Sequence, residues 1–292
     1  MEDMWLRAMY KWNQWWENTK TLDRLSELEK MENIIKKWIM ARVFRGNRWA
    51  KGNNAWTPLL RPVSELRLAL ISSGGVYRED QPPFDAANLL GDWSFRVIPN
   101  DTLTSKMRVS HNHYNHRDGA DKDINVVFPL DRLRELEAQN AIGELSPIHI
   151  GFMGYILKPD KLIKETAPLI IQALKDASVD AALLVPSWPV CQRSVGLLQR
   201  EIESAGIATV SMTVSRDVTT GIKPSRAVYV RFPFGFAFGE PFAQDQQLTI
   251  VEDALAALEN IMEPGTLIEL PYRWKRENYS AIRQKRKAGT EA

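Results

Sequence analysis

What most constrains the fold of this chain is a repeated handover from short apolar runs to amphipathic helical stretches. Ala181-Ala-Leu-Leu-Val185 is one such run, and residues 192–205 behind it follow helical spacing. Leu66–Ser73 is a second, ending at Gly74-Gly75. Ser94–Ile98, Ile148–Gly154, Ile207–Thr213 and Ala227–Phe232 read as further strands. Between them, Arg132–Ala138 reads as a short helix. Residues 159–177 form a longer one, with Leu162, Ile163, Ala167, Ile170, Ile171 and Leu174 on one side, and 244–262 a closing helix. Strands that are apolar on both faces must be covered on both faces. The expected fold is therefore α/β, a mostly parallel sheet with helices on both faces, plus a helical N-terminal extension.

Three regions are expected: a Trp-rich helical extension and linker over 1–55, an α/β domain over 56–265, and a basic C-terminal tail over 266–292. In the extension Trp5, Met9, Trp12 and Trp16, then Leu25, Leu28 and Met31, then Ile34, Ile35, Trp38 and Ile39 follow helical spacing. That belt can dock on the domain's own core, on a second copy in a homo-oligomer, or on a membrane surface. The tail carries Arg273, Lys275, Arg276, Arg283, Lys285, Arg286 and Lys287, a pattern that suits a solvated helix or a phosphate or partner contact. A net charge of +2 argues against nucleic acid as partner. No apolar stretch is long enough to span a membrane, and no secretory leader is evident. One cysteine in 292 residues excludes an internal disulfide and fits a reducing cytoplasm. Gly74-Gly75 is not a full dinucleotide fingerprint, so nucleotide binding has no support.

That cysteine, Cys191, lies where strand 181–185 passes into helix 192–205. Ligands of open α/β sheets bind beyond the carboxyl ends of strands. A thiol there can feel a helix N-terminus, which lowers its pKa and favours the thiolate. It can equally be a small apolar side chain filling a junction. The second concentration of chemistry is the stretch from His111 through Asp123, which holds three of the four histidines. His111 and His113, with Asp123, are candidate ligands for Fe or Zn. His116 and Asp118 are candidates for acid–base work, and a polar substrate loop or an exposed turn are the other readings. Ser73 and Gly74 can form a backbone anion nest, and Arg96 or Arg108 can clamp a carboxylate. Asp217 follows a strand end, as a substrate contact or a helix N-cap. The run Phe232, Phe234, Phe236 and Phe238 reads as core or a subunit contact.

Four blocks resemble the glycine/sarcosine/betaine/D-proline reductase selenoprotein B family. They are DAALLVPSWPVCQRSVGLLQREIESAGIATVSM, LALISSGGVYREDQPPFD, DINVVFPLDRLRELEAQNAIGELSP and FPFGFAFGEP. Together they cover roughly residues 56–260. The resemblance implies a selenocysteine-x-x-cysteine pair after a strand ending in Val-Pro. Here Trp188 stands at the selenocysteine position and Cys191 at the partner thiol. In the family a selenolate attacks the α-carbon of a small amino acid or amine held as a Schiff base on a partner's carbonyl group, and the C–N bond breaks. An indole is not a nucleophile. The Trp therefore marks divergence to selenium-free chemistry, a non-catalytic relative, or a recoded UGA codon. Three functions follow: a reductase-like enzyme using Cys191 with a carbonyl-bearing partner subunit, a metal-dependent enzyme using the His111/His113/His116 loop, and a binding relative. Trp188 is then expected to line the substrate site.

Overall fold

The computed structural model describes residues 55–88 and 90–290; the expected Trp-rich helices lie outside the described residues. Strand β1 spans Arg67–Ser72, and all but its first residue are buried. After it come β2 (Val76–Arg78), β3 (Phe95–Pro99) and β4 (Met107–Val109). Helix α1 is Leu130–Ala138, followed by β5 (Glu144–Leu145) and β6 (Ile148–Phe152). One helical turn at Pro159–Lys161 widens through a π-turn at Leu162–Thr166 into α2, Ala167–Asp176. The rest is β7 (Ala181–Val185), α3 (Pro189–Ser204), β8 (Ala208–Thr213), α4 (Arg216–Ile222), β9 (Arg226–Arg231), α5 (Gln244–Asn260), β10 (Thr266–Arg273) and α6 (Tyr279–Thr290).

The main sheet runs in the order β10-β9-β8-β7-β1-β6-β3, with β5 beside β1. All its pairings are parallel except β3 against β6. β1 pairs with β7 from Leu68↔Ala181 to Ser72↔Val185. Alternate residues of β1 serve opposite faces. Leu68 and Leu70 join α1 (Leu130, Leu133, Leu136) and α5 (Val251, Leu255, Leu258) in one core. Ala69 and Ile71 join α2 (Ile170, Leu174) and α3 (Val195, Leu198, Ile202) in the other. The strand order reverses at β1. The chain leaves β1 for the β6 side, then recrosses to β7 and proceeds outward through β8, β9 and β10. The carboxyl ends of β1 and β7 therefore flank the crevice that such a reversal opens.

Two boundaries differ from the sequence reading. Helix α3 begins at Pro189, three residues early, because proline's fixed φ and missing N–H suit the first helical turn. This puts Cys191 inside that turn rather than ahead of it. Nor is the region beyond 265 a tail. β10 pairs with β9 in the sheet, and α6 lies on α5. There Arg283 and Arg286 pair with Glu252, and Arg286 also with Asp253. Arg283 and Arg286 thus serve the chain's own acids. No helix among the described residues is long and apolar enough to cross a membrane.

Candidate active site

Cys191 is fully buried. Trp188 is the N-cap of α3, with extended backbone, so the thiol sits in the first turn, where backbone N–H groups have no helical acceptor. Gly154, just past β6, approaches it so closely that a Cβ there would lie 2.9 Å from Sγ and 2.6 Å from Ser73 Cβ. Burial is the largest influence on the thiol and pushes it up to about 12. Hydrogen bonding from the Trp188 backbone, the Ser73 side chain and the Ser187 and Cys191 backbone acts the other way. The expected lowering by the helix N-terminus is thus present but outweighed by desolvation. The site holds donors for a thiolate and keeps water from it.

His111 Nε2 lies 3.3 Å from Cys191 Sγ. The His113 backbone N–H donates to His111 Nδ1 at 3.2 Å. That bond assigns the tautomer: the neutral ring carries its proton on Nε2 and presents it to sulfur. His111 is buried, and burial, with His113 and His116 nearby, holds it well below the usual histidine range. It is an uncharged donor to sulfur, not a base for it. His113 stacks on Tyr155, ring centroids 3.6 Å apart, and burial lowers it to about 4. Tyr114 packs between His111 and His116 and donates its hydroxyl to the Gly74 carbonyl at 2.9 Å.

The expected metal set does not assemble. Asp123 caps the 3-10 turn Ile124–Val126 through the Asn125 N–H and also accepts from Phe242 N–H and Gln247. His111 is turned to sulfur. Among the described residues no three His, Cys, Asp or Glu side chains are placed to hold a metal ion. His116 pairs with Asp121 at 2.9 Å, and Asp118 sits exposed with Asn115 and Lys122. Neither reaches the thiol.

Ser73 is at the site; its N–H goes to the Val185 carbonyl, and its hydroxyl is shared between that carbonyl and the Cys191 sulfur. Gly74 N–H bonds Ser72 Oγ and Gly75 N–H bonds the Phe152 carbonyl. The proposed anion nest is therefore closed by internal bonds. Arg96 donates to the Pro82, Pro83 and Phe95 carbonyls and lies over Phe84, which fixes a loop rather than a ligand. Arg108 pairs with Glu79. Asp217 is exposed in the first turn of α4. Trp188 is half-buried against Phe234 at 5.3 Å and forms part of the cover over the site. A cavity of about 600 Å³ lies on the outer side of the histidine loop, lined by Arg108, Asp121, Asp123, Asp131 and Phe242. Cys191 does not line it. The sequence reading missed Tyr114, Gly154, Tyr155, Ser187 and Arg193. Gly154, Tyr155 and Ser187 directly follow β6 and β7, so the strand-end rule alone pointed to them.

Residues 54–187 match the family described as glycine/sarcosine/betaine reductase selenoprotein B. The D-proline reductase subunit gamma of Acetoanaerobium sticklandii is 38% identical over 219 residues, 75% of this chain and 89% of that protein. This chain belongs to the reductase selenoprotein B family. The glycine reductase complex component B subunit gamma of Carboxydothermus hydrogenoformans is 27% identical over 220 residues, 73% of this chain and 50% of that protein. The sarcosine reductase complex component B subunit beta of Peptoclostridium acidaminophilum is 26% identical over 218 residues, 73% of this chain and 50% of that protein. The chain spans about half the length of these last two relatives. No solved structure matches the chain. Family membership supports a reductase role at the level of the family.

Proposed function

We propose that this selenoprotein B family member is a subunit of a reductase complex that cleaves a C–N bond in a small amino acid or amine, with Cys191 as nucleophile. The observation that carries this reading is the setting of the thiol. It lies in a helix N-terminal turn at the sheet's reversal point, with the His111 Nε2–H at 3.3 Å. Backbone and side-chain donors already surround sulfur, so the anion needs little reorganisation once the site is wetted. Entry of a substrate, or of a carbonyl-bearing partner subunit, relieves the desolvation that holds the thiol protonated. In the step itself the Cys191 thiol gives its proton to the water that wets the site, and the thiolate attacks the α-carbon of substrate held as a Schiff base on the partner's carbonyl. A C–S bond forms, the C–N bond breaks, and its electron pair stays on nitrogen. His111 holds the sulfur without taking its proton. The relatives are named for D-proline, glycine, sarcosine and betaine. All four compounds carry nitrogen on the carbon that bears the carboxylate; betaine's quaternary nitrogen forms no Schiff base and is already a leaving group, so for it the thiolate displaces trimethylamine directly.

The burial of the thiol favours a second reading, a non-catalytic binding relative. One experiment separates the two. The complex is purified through this chain, supplied with each of those four substrates and a dithiol reductant, and product is followed by mass spectrometry. Cys191→Ser should abolish product while leaving the complex assembled. Unchanged turnover in that variant overturns the first reading in favour of the second.

A further inference from the structure

Six hydroxyl groups crowd the carboxyl ends of β1, β6 and β7, and five are engaged. Ser72 donates to the Val127 carbonyl, Tyr114 to Gly74 and Ser194 to Gly154. Ser73 is shared between the Val185 carbonyl and the Cys191 sulfur, and Ser187 hydrogen-bonds Tyr114. The sixth belongs to Tyr155, which is 1% exposed and whose hydroxyl makes no hydrogen bond. A buried hydroxyl without a partner is rare and costly. It is not there for the sulfur, which His111, Ser73 and the backbone of its own turn already serve.

Backbone and packing fix the place of this phenol. Tyr155 directly follows Gly154, the residue that approaches the thiol too closely for a Cβ. Its ring stacks on His113 and clusters with Val190 and Trp188 from the thiol's turn. The phenol and the sulfur are near enough for the charge of one to act on the other. Burial is the largest influence on the phenol and pushes it up to about 12, so it keeps its proton through neutral pH. The result is an O–H beside the nucleophile, held by packing, with no acceptor. In the C–N cleavage the group that lacks a donor is the nitrogen. A neutral Schiff-base nitrogen that keeps the pair of the broken bond becomes an anion and has to take a proton. His111 carries a proton on Nε2 but presents it to sulfur.

We infer that the Tyr155 hydroxyl is the proton donor to the leaving nitrogen. This rests on the reading of Cys191 as nucleophile and supplies the proton that its step requires. The Tyr155 O–H bond breaks as the N–H bond forms, and the phenolate recovers the proton that the thiol released to the site water. No proton is gained or lost overall. Trimethylamine leaves betaine as a neutral amine, so with betaine the hydroxyl has no part.

Two alkylating reagents that carry the same carboxamide test it on the full-length chain, with no partner present. Iodoacetamide loses iodide, which needs no proton. Aziridine-2-carboxamide, neutral at the assay pH, is opened by the thiolate: a C–S bond forms, a ring C–N bond breaks, and the nitrogen keeps the pair and takes a proton. Cys191 is the only cysteine, so intact mass reports both reactions directly. The ratio of aziridine to iodoacetamide rates cancels the thiolate population. In the urea-unfolded chain it gives the value with water as donor. In the folded protein the ratio should rise roughly a hundredfold, the contribution of a positioned general acid. That comparison needs no variant. Tyr155→Phe should return the ratio to the unfolded value and leave the iodoacetamide rate unchanged. It should not lower the melting temperature, because the hydroxyl it removes has no partner. A folded ratio equal to the unfolded one overturns the donor and leaves the nucleophile reading standing. A raised ratio that survives Tyr155→Phe overturns the assignment to this residue. Equal slowing of both reagents in Tyr155→Phe overturns it too, because the hydroxyl would then act through the thiol. No modification of folded Cys191 by either reagent overturns both readings together.

Discussion

Raising the pH should activate Cys191 far later than it activates an ordinary thiol. Its pKa is pushed up to about 12 by burial. At pH 8 a thiol of pKa ~8.5 is about one quarter ionised, whereas Cys191 is ionised in about one molecule in 10,000. Its alkylation in the folded protein should therefore run roughly 2,000-fold slower than in the unfolded chain from ionisation alone. Restricted access slows both reagents further, but access does not depend on pH. The slope separates the two causes. The rate should rise about tenfold per pH unit from pH 7 to pH 10 with no plateau. The unfolded thiol ionises first, so the thiol's contribution to stability is whole below ~8.5 and is lost as pH climbs toward the folded value. Circular dichroism at each pH guards against alkylation of unfolded chain. The assay is iodoacetamide labelling read by intact mass. A plateau between pH 8 and 9 would refute the argument, because it would mean that the surrounding donors, not burial, decide the thiol's state.

Two further outcomes are expected. Glu203 and Arg226 form a 2.8 Å ion pair whose side chains are 0% and 1% exposed, and Glu203 also accepts from Thr57 and Thr209. Glu203→Ala leaves the guanidinium buried without its counter-charge and should cost about 3–5 kcal/mol in urea unfolding; a loss under about 1 kcal/mol would show that Arg226 is held otherwise. Burial lowers His113 to about 4 and His149 to about 3, against 6.5 for the ordinary ring. Both stay uncharged in the fold while the unfolded chain takes up protons, so their stabilisation is whole above pH 6.5 and drains as pH falls toward those values. Going from pH 7 to pH 5 should cost roughly 2 kcal/mol for each, and a melting temperature unchanged over that interval would contradict it.

The sheet was legible because its central strands are short, mostly apolar and buried on both faces. Ala181–Val185 and Ala208–Thr213 are buried throughout, and such runs stand out against amphipathic helices. β10 was not, because an edge strand alternates with solvent and carries Glu269 and Arg273, which read as a polar tail. The nearness of Cys191 to the strand ends followed from chain order, but its protonation state did not. A helix N-terminus is visible in a sequence, whereas the desolvation that outweighs it comes from Gly154, Tyr155 and His111, brought in from other segments. The metal reading failed for a similar reason. Three histidines and nearby acids in one stretch suggest convergence, yet the Asp123 carboxylate is taken by Phe242 and Gln247, more than a hundred residues on. Spacing shows which groups are near along the chain, and says nothing of which are already engaged.

Helix α3 is pinned at both ends. Its first turn holds Cys191 against Gly154, and its last turn holds Glu203 in the buried pair with Arg226, about 18 Å away at the rise of an α-helix. A rod fixed at two points cannot slide along its axis or tilt without dragging a buried charge with it. Motion that admits a reactant must then come from the thinner structures above: the His111–Tyr114 segment and the Phe234–Gly239 loop, whose glycines at 235 and 239 sit at positive φ. On the proposed mechanism the thiol is the stationary part, and its reactant has to be delivered in register with a fixed point.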